Sequence, residues 1–383
     1  MSPDRKCSVE LPCGILEIRV DDCRMELGRL CGYASRQNRK RSFLFISKVL
    51  GKHWPVRPAD MREVYRHLAA DLVDLPGPVL FIGMAETATG FGQGIYDSLL
   101  RLSGREDILF LHTTRYHSYR RTAFDFQEVH SHATDQILYL PETAEDQLIF
   151  TTAASLVIAD DEISTGTTAL NLLTAYRDAN LFLQEARFVS ITNWLGAERG
   201  KELQDAVSPV RIDYAQILRG GFTFTPDSSF IIDEEIDVRG GTERKDLFFT
   251  VNWGRFGIRG IPELDFPRLT SGCNFASGDR ILVLGSGEFA YPPFLLAEYL
   301  EGCGYDVRFQ STTRSPIMLG NDIRSRLRFT DNYGDGIANF LYNVRREDYS
   351  RIIICYENPE LPPDHLLPGM LEAQSLFFCE GAP

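Results

Sequence analysis

The sequence predicts an α/β protein: a mostly parallel sheet, followed by a second and degenerate copy of the same kind of domain. Three observations predict it. Short apolar or β-branched runs alternate with helical stretches, the alternation recurs in the second half, and a stretch rich in Gly, Arg and Lys separates the halves. Strand–helix alternation implies crossover helices packed on a parallel sheet.

The runs Val79–Ile82, Ile108–His112, Leu156–Ala159 and Phe188–Thr192 read as buried strands, as do Arg280–Leu284, Asp306–Gln310 and Arg351–Cys355. They are short β-branched or apolar runs. Met61–Leu72, Gly92–Leu102, Thr167–Arg177 and Pro293–Leu300 read as helices between them. Within 237–260, Gly240-Gly241-Thr242-Glu243-Arg244-Lys245 reads as a connecting loop. The expected domains are 1–235 and 236–383.

The halves match in detail. Val79-Leu80-Phe81-Ile82-Gly83 corresponds to Ile281-Leu282-Val283-Leu284-Gly285, and Thr113-Thr114-Arg115 to Thr312-Thr313-Arg314. Phe126 and Tyr139 stand thirteen apart, as do Phe329 and Tyr342. The first copy then reaches Asp160-Asp161-Glu162-Ile163-Ser164-Thr165-Gly166, the second Tyr356-Glu357-Asn358-Pro359-Glu360. Duplication with loss of function in the second copy is the simpler account; the bland one is that any two α/β domains align this way.

Composition narrows the function. A formal net charge of −13 disfavours nucleic acid and anionic membranes as partners. The start is polar, without the apolar centre of a signal peptide, and no run approaches the roughly 18 apolar residues of a spanning helix. A soluble, cytoplasmic protein acting on small molecules is expected. The eight cysteines include no C-x-x-C pair, so reduced thiols are favoured over structural zinc.

The chemistry concentrates after the strand Leu156–Ala159. Two acids end it, and a Ser/Thr/Gly turn opens a helix at Thr167. The unpaired amides of a turn and first helical turn, with the helix dipole, form a nest for a phosphate. Gly166 allows close approach, and the hydroxyls of Ser164, Thr165, Thr167 and Thr168 add donors. Asp160 and Asp161 can accept from two vicinal sugar hydroxyls. Phosphate plus diol describes a ribose 5-phosphate; the alternative is a loop that only caps its helix.

This stretch resembles the signature for 5-phosphoribosyl-1-pyrophosphate (PRPP) in type I phosphoribosyltransferases, except that Glu162 stands where an apolar residue is usual; counted with the PRPP-binding residues, it either brings a carboxylate near the acceptor or metal or faces solvent. Over nearly the whole chain the sequence resembles the two-domain phosphoribosyltransferases of tellurium-resistance-type gene clusters. Their C-terminal TRSP domain is spelled here by Thr313-Arg314-Ser315-Pro316. Arg41–His53, Met84–Gly90 and His130–Thr134 are further family-like stretches. The resemblance implies a Rossmann-like parallel sheet with an N-terminal hood, then a degenerate phosphoribosyltransferase-like domain. It implies transfer from PRPP, as co-substrate, to an orotate-like or other nucleobase-like acceptor. Mg²⁺ would be the cofactor, met by Asp160 and Asp161 directly or through water, and the product a nucleotide-like metabolite. A homodimer is a further expectation.

The resemblance implies a pyrophosphate loop at Ala85, Glu86, Thr87, Ala88, Thr89 and Gly90, whose mostly small residues suit backbone approach; an ordinary βα turn is the alternative. Arg115, at a strand end, is expected to clamp the leaving pyrophosphate. The stretch Tyr116–Asp125, with Arg120 and Arg121, sits where the family carries a mobile loop. His130 and His132 share a strand face and are candidates for general acid–base work; Tyr333 and Asp335 replace them in the repeat. Arg41, Lys48 and Lys52, within a basic cluster including Arg36, Arg39, Lys40 and His53, suggest an anion site in the hood. Two rival functions remain open: a non-catalytic PRPP sensor, and a diphosphokinase-like enzyme.

Overall fold

The computed structural model describes residues 5–36, 38, 41–127, 135–231, 241 and 243–379. The first half opens with the hairpin β1 (Arg5–Leu11) and β2 (Gly14–Cys23). A short helix, α1 (Leu27–Leu30), leads to a second hairpin, β3 (Cys31–Ser35) and β4 (Phe43–Ser47), the hood. Then follow α2 (Pro58–Ala70), β5 (Val79–Gly83), α3 (Ala88–Ser103), β6 (Ile108–His112), β7 (Thr122–Gln127) and β8 (Asp135–Tyr139). The half ends with α4 (Ala144–Thr152), β9 (Ser155–Ala159), β10 (Glu162–Ile163), α5 (Thr167–Ala179), β11 (Glu185–Asn193), α6 (Ala197–Val207) and β12 (Arg211–Pro226).

The main sheet runs β1-β2-β12-β11-β9-β5-β6, with β10 beside β11. From β12 to β6 its neighbours are parallel. Every residue of β5, β6 and β9 is buried, as expected when helices cover both faces.

The second half contains α7 (Phe266–Leu269), β13 (Arg280–Gly285), α8 (Tyr291–Gly302), β14 (Asp306–Ser311), β15 (Arg326–Thr330), β16 (Ala338–Tyr342), β17 (Arg351–Tyr356), α9 (Leu367–Leu371) and β18 (Gln374–Phe377). Its parallel sheet runs β14-β13-β17-β18. The order β6-β5-β9 of the first half thus recurs as β14-β13-β17, each with a hairpin inserted before its last strand. The predicted strands are all present: Ile108–His112 has the expected bounds and the others are longer by one to four residues.

The repeat extends to single hydrogen bonds. Thr113 N–H donates to Gly83 O (2.9 Å), and Thr312 N–H to Gly285 O (3.0 Å). Tyr139 Oη accepts from Ser118 N–H (2.7 Å) and donates to Tyr116 O (3.2 Å). Tyr342 Oη accepts from Ile317 N–H (2.7 Å) and donates to Ser315 O (2.6 Å). Both tyrosines therefore pin the segment that follows Thr-Thr-Arg.

Each half also borders the sheet of the other. Phe110 and Ile258 exchange backbone hydrogen bonds at the β6 edge (both 2.9 Å), and Phe309 and Val56 do the same at the β14 edge (2.7 and 2.9 Å). Pairing satisfies groups that an open sheet edge would expose. A buried ion network fastens α2, α3 and α8: Arg62 bonds Asp97 (2.8 Å) and both oxygens of Glu298 (2.7 and 2.8 Å), and Tyr291 Oη donates to Asp97 (2.6 Å). No helix among the described residues is long and apolar enough to cross a membrane. The cysteines form no disulfide.

Candidate active site

Strand β9 carries Asp160 and Asp161 to the carboxyl edge of the sheet, where Asp160 N–H donates to Val189 O (3.0 Å). Asp161 N–H donates to Asp160 Oδ1 (2.9 Å), and the Thr87 hydroxyl donates to Asp161 Oδ1 (2.8 Å). The two loops proposed from the sequence are therefore joined. Burial, reinforced by neighbouring Glu162, pushes the Asp161 carboxyl above its ordinary range. Gly166 caps α5 with φ +67°, and a Cβ there would lie 2.6 Å from Leu203 Cδ1. The left-handed conformation favours glycine there, and a Cβ would also displace the Leu203 side chain.

One cavity gathers Ala85, Glu86, Thr87, Arg115 and all of 160–168, with Arg36, Arg41 and His53 from the hood side. Thr313, Arg314 and Ser315 of the second half also line it.

Of the loop expected to hold pyrophosphate, only Ala85, Glu86 and Thr87 line the cavity. Ala88, Thr89 and Gly90 belong to α3, which begins four residues before the predicted Gly92, and they do not line the cavity. They serve the seam between the halves: Thr89 Oγ1 donates to Glu288 O (2.8 Å), and a Cβ on Gly90 would meet Ala290 Cβ at 2.8 Å. Ala85 is held on both sides. Its N–H donates to Thr113 Oγ1 (2.8 Å), while its carbonyl accepts from Gln136 Nε2 (2.5 Å) and Arg115 Nη2 (3.5 Å).

The hood contributes differently than expected. Arg41 lines the cavity, but Lys48 and Lys52 do not. Lys48 pairs with Asp322 (3.3 Å). Lys52 is buried, donating to Gly287 O and Ser311 Oγ (both 3.0 Å) and pairing with Glu86 (2.8 Å). Both lysines tie the hood to the second half instead of offering a free anion site. Burial alone would raise the Glu86 carboxyl; Lys52 and Arg314 beside it more than reverse this and hold it below its ordinary range.

Glu162 turns to the hood, where it pairs with Arg41 (2.6 Å). The Arg41 guanidinium lies 4.7 Å from the centre of the Phe43 ring. Glu162 thus neither faces bulk solvent nor offers a free carboxylate to a ligand.

Arg120 is held away from the cavity by Glu142 (2.5 Å) and Asp246 (3.2 Å), and Arg121 is exposed; neither lines the cavity. His130 and His132 lie outside the described residues.

Two contributors escaped the sequence reading of the site, and a third was read differently. Arg199 of α6 buttresses the Ser164–Thr168 turn through Thr165 O (3.1 Å) and Thr167 Oγ1 (3.3 Å); a lone arginine on a polar helix gives no signal. Gln136 accepts from Thr113 Oγ1 (2.6 Å) while fixing Ala85. His53 was grouped with the basic residues. Burial, and then Lys52, push its imidazole down to about 3, so it is neutral near pH 7. Its Nε2 has no hydrogen-bond partner among the described residues.

In the second half the corresponding place is filled. Glu357 stands, by strand register, where Asp161 stands. It receives two bonds from Arg255 (3.0 and 3.1 Å) and one from Tyr333 Oη (2.5 Å).

A family model described as "Phosphoribosyl transferase" matches residues 30–221, half of the chain. The chain belongs to the phosphoribosyl transferase family. A second model, "TRSP domain C terminus to PRTase_2", matches residues 254–372 of this phosphoribosyltransferase. No curated protein matches it. Among solved structures, the adenine phosphoribosyltransferase of Trypanosoma brucei is 13% identical, covering 55% of this chain and 86% of its own, with TM-score 0.35. That of Rhodothermus marinus is 14% identical, covering 50% and 95%, with TM-score 0.31. The hypoxanthine phosphoribosyltransferase of Trypanosoma cruzi is 13% identical, covering 45% and 82%, with TM-score 0.27.

Among the described residues of this phosphoribosyltransferase, no group of three or more His, Cys, Asp or Glu side chains is placed to hold a metal ion. Two adjacent carboxylates, Asp160 and Asp161, do border the cavity. That donor set fits a magnesium ion shared with a ligand's phosphates, since magnesium is commonly bound through one or two carboxylates plus substrate oxygens.

Proposed function

We propose that residues 1–235 bind PRPP and transfer its phosphoribosyl group to a nucleobase-like acceptor, releasing pyrophosphate, with 236–383 as a supporting domain. The observation that carries this reading is the Thr87–Asp161 hydrogen bond (2.8 Å), which joins a diol-binding acid to the neighbouring loop inside one cavity.

In this reading the first turn of α5, with the hydroxyls of Thr165, Thr167 and Thr168, holds the 5-phosphate. Asp160 and Asp161 accept from the ribose hydroxyls. Glu86 and Thr87 present backbone to the diphosphate, with Arg115 beside them and Ala85 held in place by Thr113 and Gln136. Mg²⁺, met by Asp160 and Asp161 directly or through water, would neutralise charge on the leaving pyrophosphate. The bond from C1 to the diphosphate oxygen breaks through a cation-like transition state, and a ring nitrogen of the acceptor forms the new bond to C1. Fixing both partners supplies the entropic part of the rate gain. His53 offers the acceptor a neutral hydrogen-bonding group, and the product is a nucleotide-like metabolite.

The test is incubation with PRPP, Mg²⁺ and a panel of bases, reading pyrophosphate. Release with one base class is expected. Tight PRPP binding with no release on any acceptor would instead favour a PRPP sensor.

A further inference from the structure

The second copy has lost the phosphate loop but kept its Thr-Thr-Arg tripeptide. The tripeptide's arginine has no matching site in its own half, where Arg255, Glu357 and Tyr333 fill the corresponding place. Arg314 instead lines the cavity of the first half, together with Thr313 and Ser315. It is 5% exposed. Its Nε lies 3.8 Å from Glu86 Oε2, and its guanidinium carbon 4.8 Å from the centre of the Tyr116 ring. Nη1 and Nη2 are buried and have no hydrogen-bond partner among the described residues. A buried guanidinium with both terminal nitrogens unmatched is costly unless a ligand completes it.

The position of Arg314 selects the ligand group. Glu86 and Arg115 mark the end of the cavity that the proposed function assigns to the diphosphate, and Arg115 reaches Ala85 O there (3.5 Å). Arg115 and Arg314 are repeat-equivalent, so two copies of one arginine converge on one cavity. Glu86 does not cancel the second charge, because Lys52 already pairs with it at 2.8 Å. A planar fork with two free N–H edges matches phosphate oxygens.

We propose that Arg314, supplied by the second domain, is a binding residue for the diphosphate of PRPP and for released pyrophosphate. The TRSP-type domain is thereby a working wall of the active site. Tyr342 is the positioning residue: its hydroxyl accepts from Ile317 N–H (2.7 Å) and donates to Ser315 O (2.6 Å), fixing the backbone just after Arg314.

This proposal rests on the assignment of the cavity to PRPP, and calorimetry on the full-length chain separates the two. The probes are inorganic pyrophosphate with Mg²⁺ and, separately, ribose 5-phosphate. Arg314→Gln should weaken pyrophosphate by about 30-fold, the order of a lost charge-assisted pair. Ribose 5-phosphate should bind within about twofold of the parent, because its phosphate sits at α5. Arg314→Lys, which keeps the charge and the fold, should lose about fivefold for pyrophosphate, because the fork is gone. Unchanged pyrophosphate affinity in either variant overturns the role of Arg314 alone, as does an equal loss for both probes. If the parent protein binds neither probe, the PRPP assignment fails and this role with it.

Discussion

Glu162 and Arg41 form a 2.6 Å ion pair that closes the hood onto the strand leading into the phosphate loop. Both side chains are largely buried, at 13% and 17% exposed. Glu162 is thus the latch of the hood, and this accounts for an acid where related loops carry an apolar residue. Glu162→Gln should cost about 2 kcal/mol, since it leaves a mostly buried guanidinium half-matched. The paired change Glu162→Gln with Arg41→Gln should cost less than the sum of the single changes. Urea midpoints for the four proteins test this; additive losses would contradict the pairing.

Arg199 touches only the outer side of the phosphate loop, through Thr165 O and Thr167 Oγ1. Arg199→Ala should weaken PRPP by about threefold, through a loop held less firmly rather than a lost ligand contact. Thr165→Ala should cost at least about tenfold, because it removes a donor to the phosphate itself. Titration of both variants with PRPP checks the order.

The acid limb of stability should be steep. Burial pushes His53 down to about 3 and His112 to about 4, while each titrates near 6.5 when unfolded. Below pH 6.5 the unfolded chain therefore binds more protons than the folded one. Stability should fall by about 1.4 kcal/mol per pH unit for each histidine as pH drops towards the folded values. His53→Gln should flatten that limb by one histidine's share. An unchanged slope between pH 6 and pH 4.5 would mean that His53 charges freely while folded.

The repeated tyrosine clamp makes a paired prediction. Tyr139→Phe and Tyr342→Phe each remove an oxygen that accepts one backbone hydrogen bond and donates another. Each should cost about 2 kcal/mol from leaving a buried amide unmatched. Tyr342→Phe should also raise the KM for PRPP, by disturbing the segment after Arg314. Thermal melts with PRPP kinetics would show whether the second effect exists.

Most of the parallel strands were legible because they are short, largely apolar runs, as a doubly covered sheet accommodates. The loop Asp160–Thr168 was legible as a candidate site because acids, hydroxyls and glycine stand at fixed offsets from such a strand. The strands β1, β2 and β12 on one side of the sheet were missed: β2 alternates buried and exposed residues, a weaker signal than a continuous apolar run. Lys48 and Lys52 misled because charge in a sequence does not reveal whether an acid waits opposite, and Asp322 and Glu86 do. Ala88, Thr89 and Gly90 misled because small residues serve a close helix seam as well as an anion loop. The sequence marks Arg314 as a residue that could reach an anion or an interdomain contact, but which cavity it enters depends on how the two sheets meet.

Calorimetric titration of the full-length protein with PRPP and Mg²⁺ tests the central claim most directly, comparing the parent with Asp161→Asn. The expected result is one site per chain, since Glu357 and Arg255 fill the corresponding place in the second half, and affinity at least about tenfold weaker in the variant. Two sites per chain, or equal affinity in the two proteins, would contradict the assignment of the Asp160–Thr168 loop as the PRPP site.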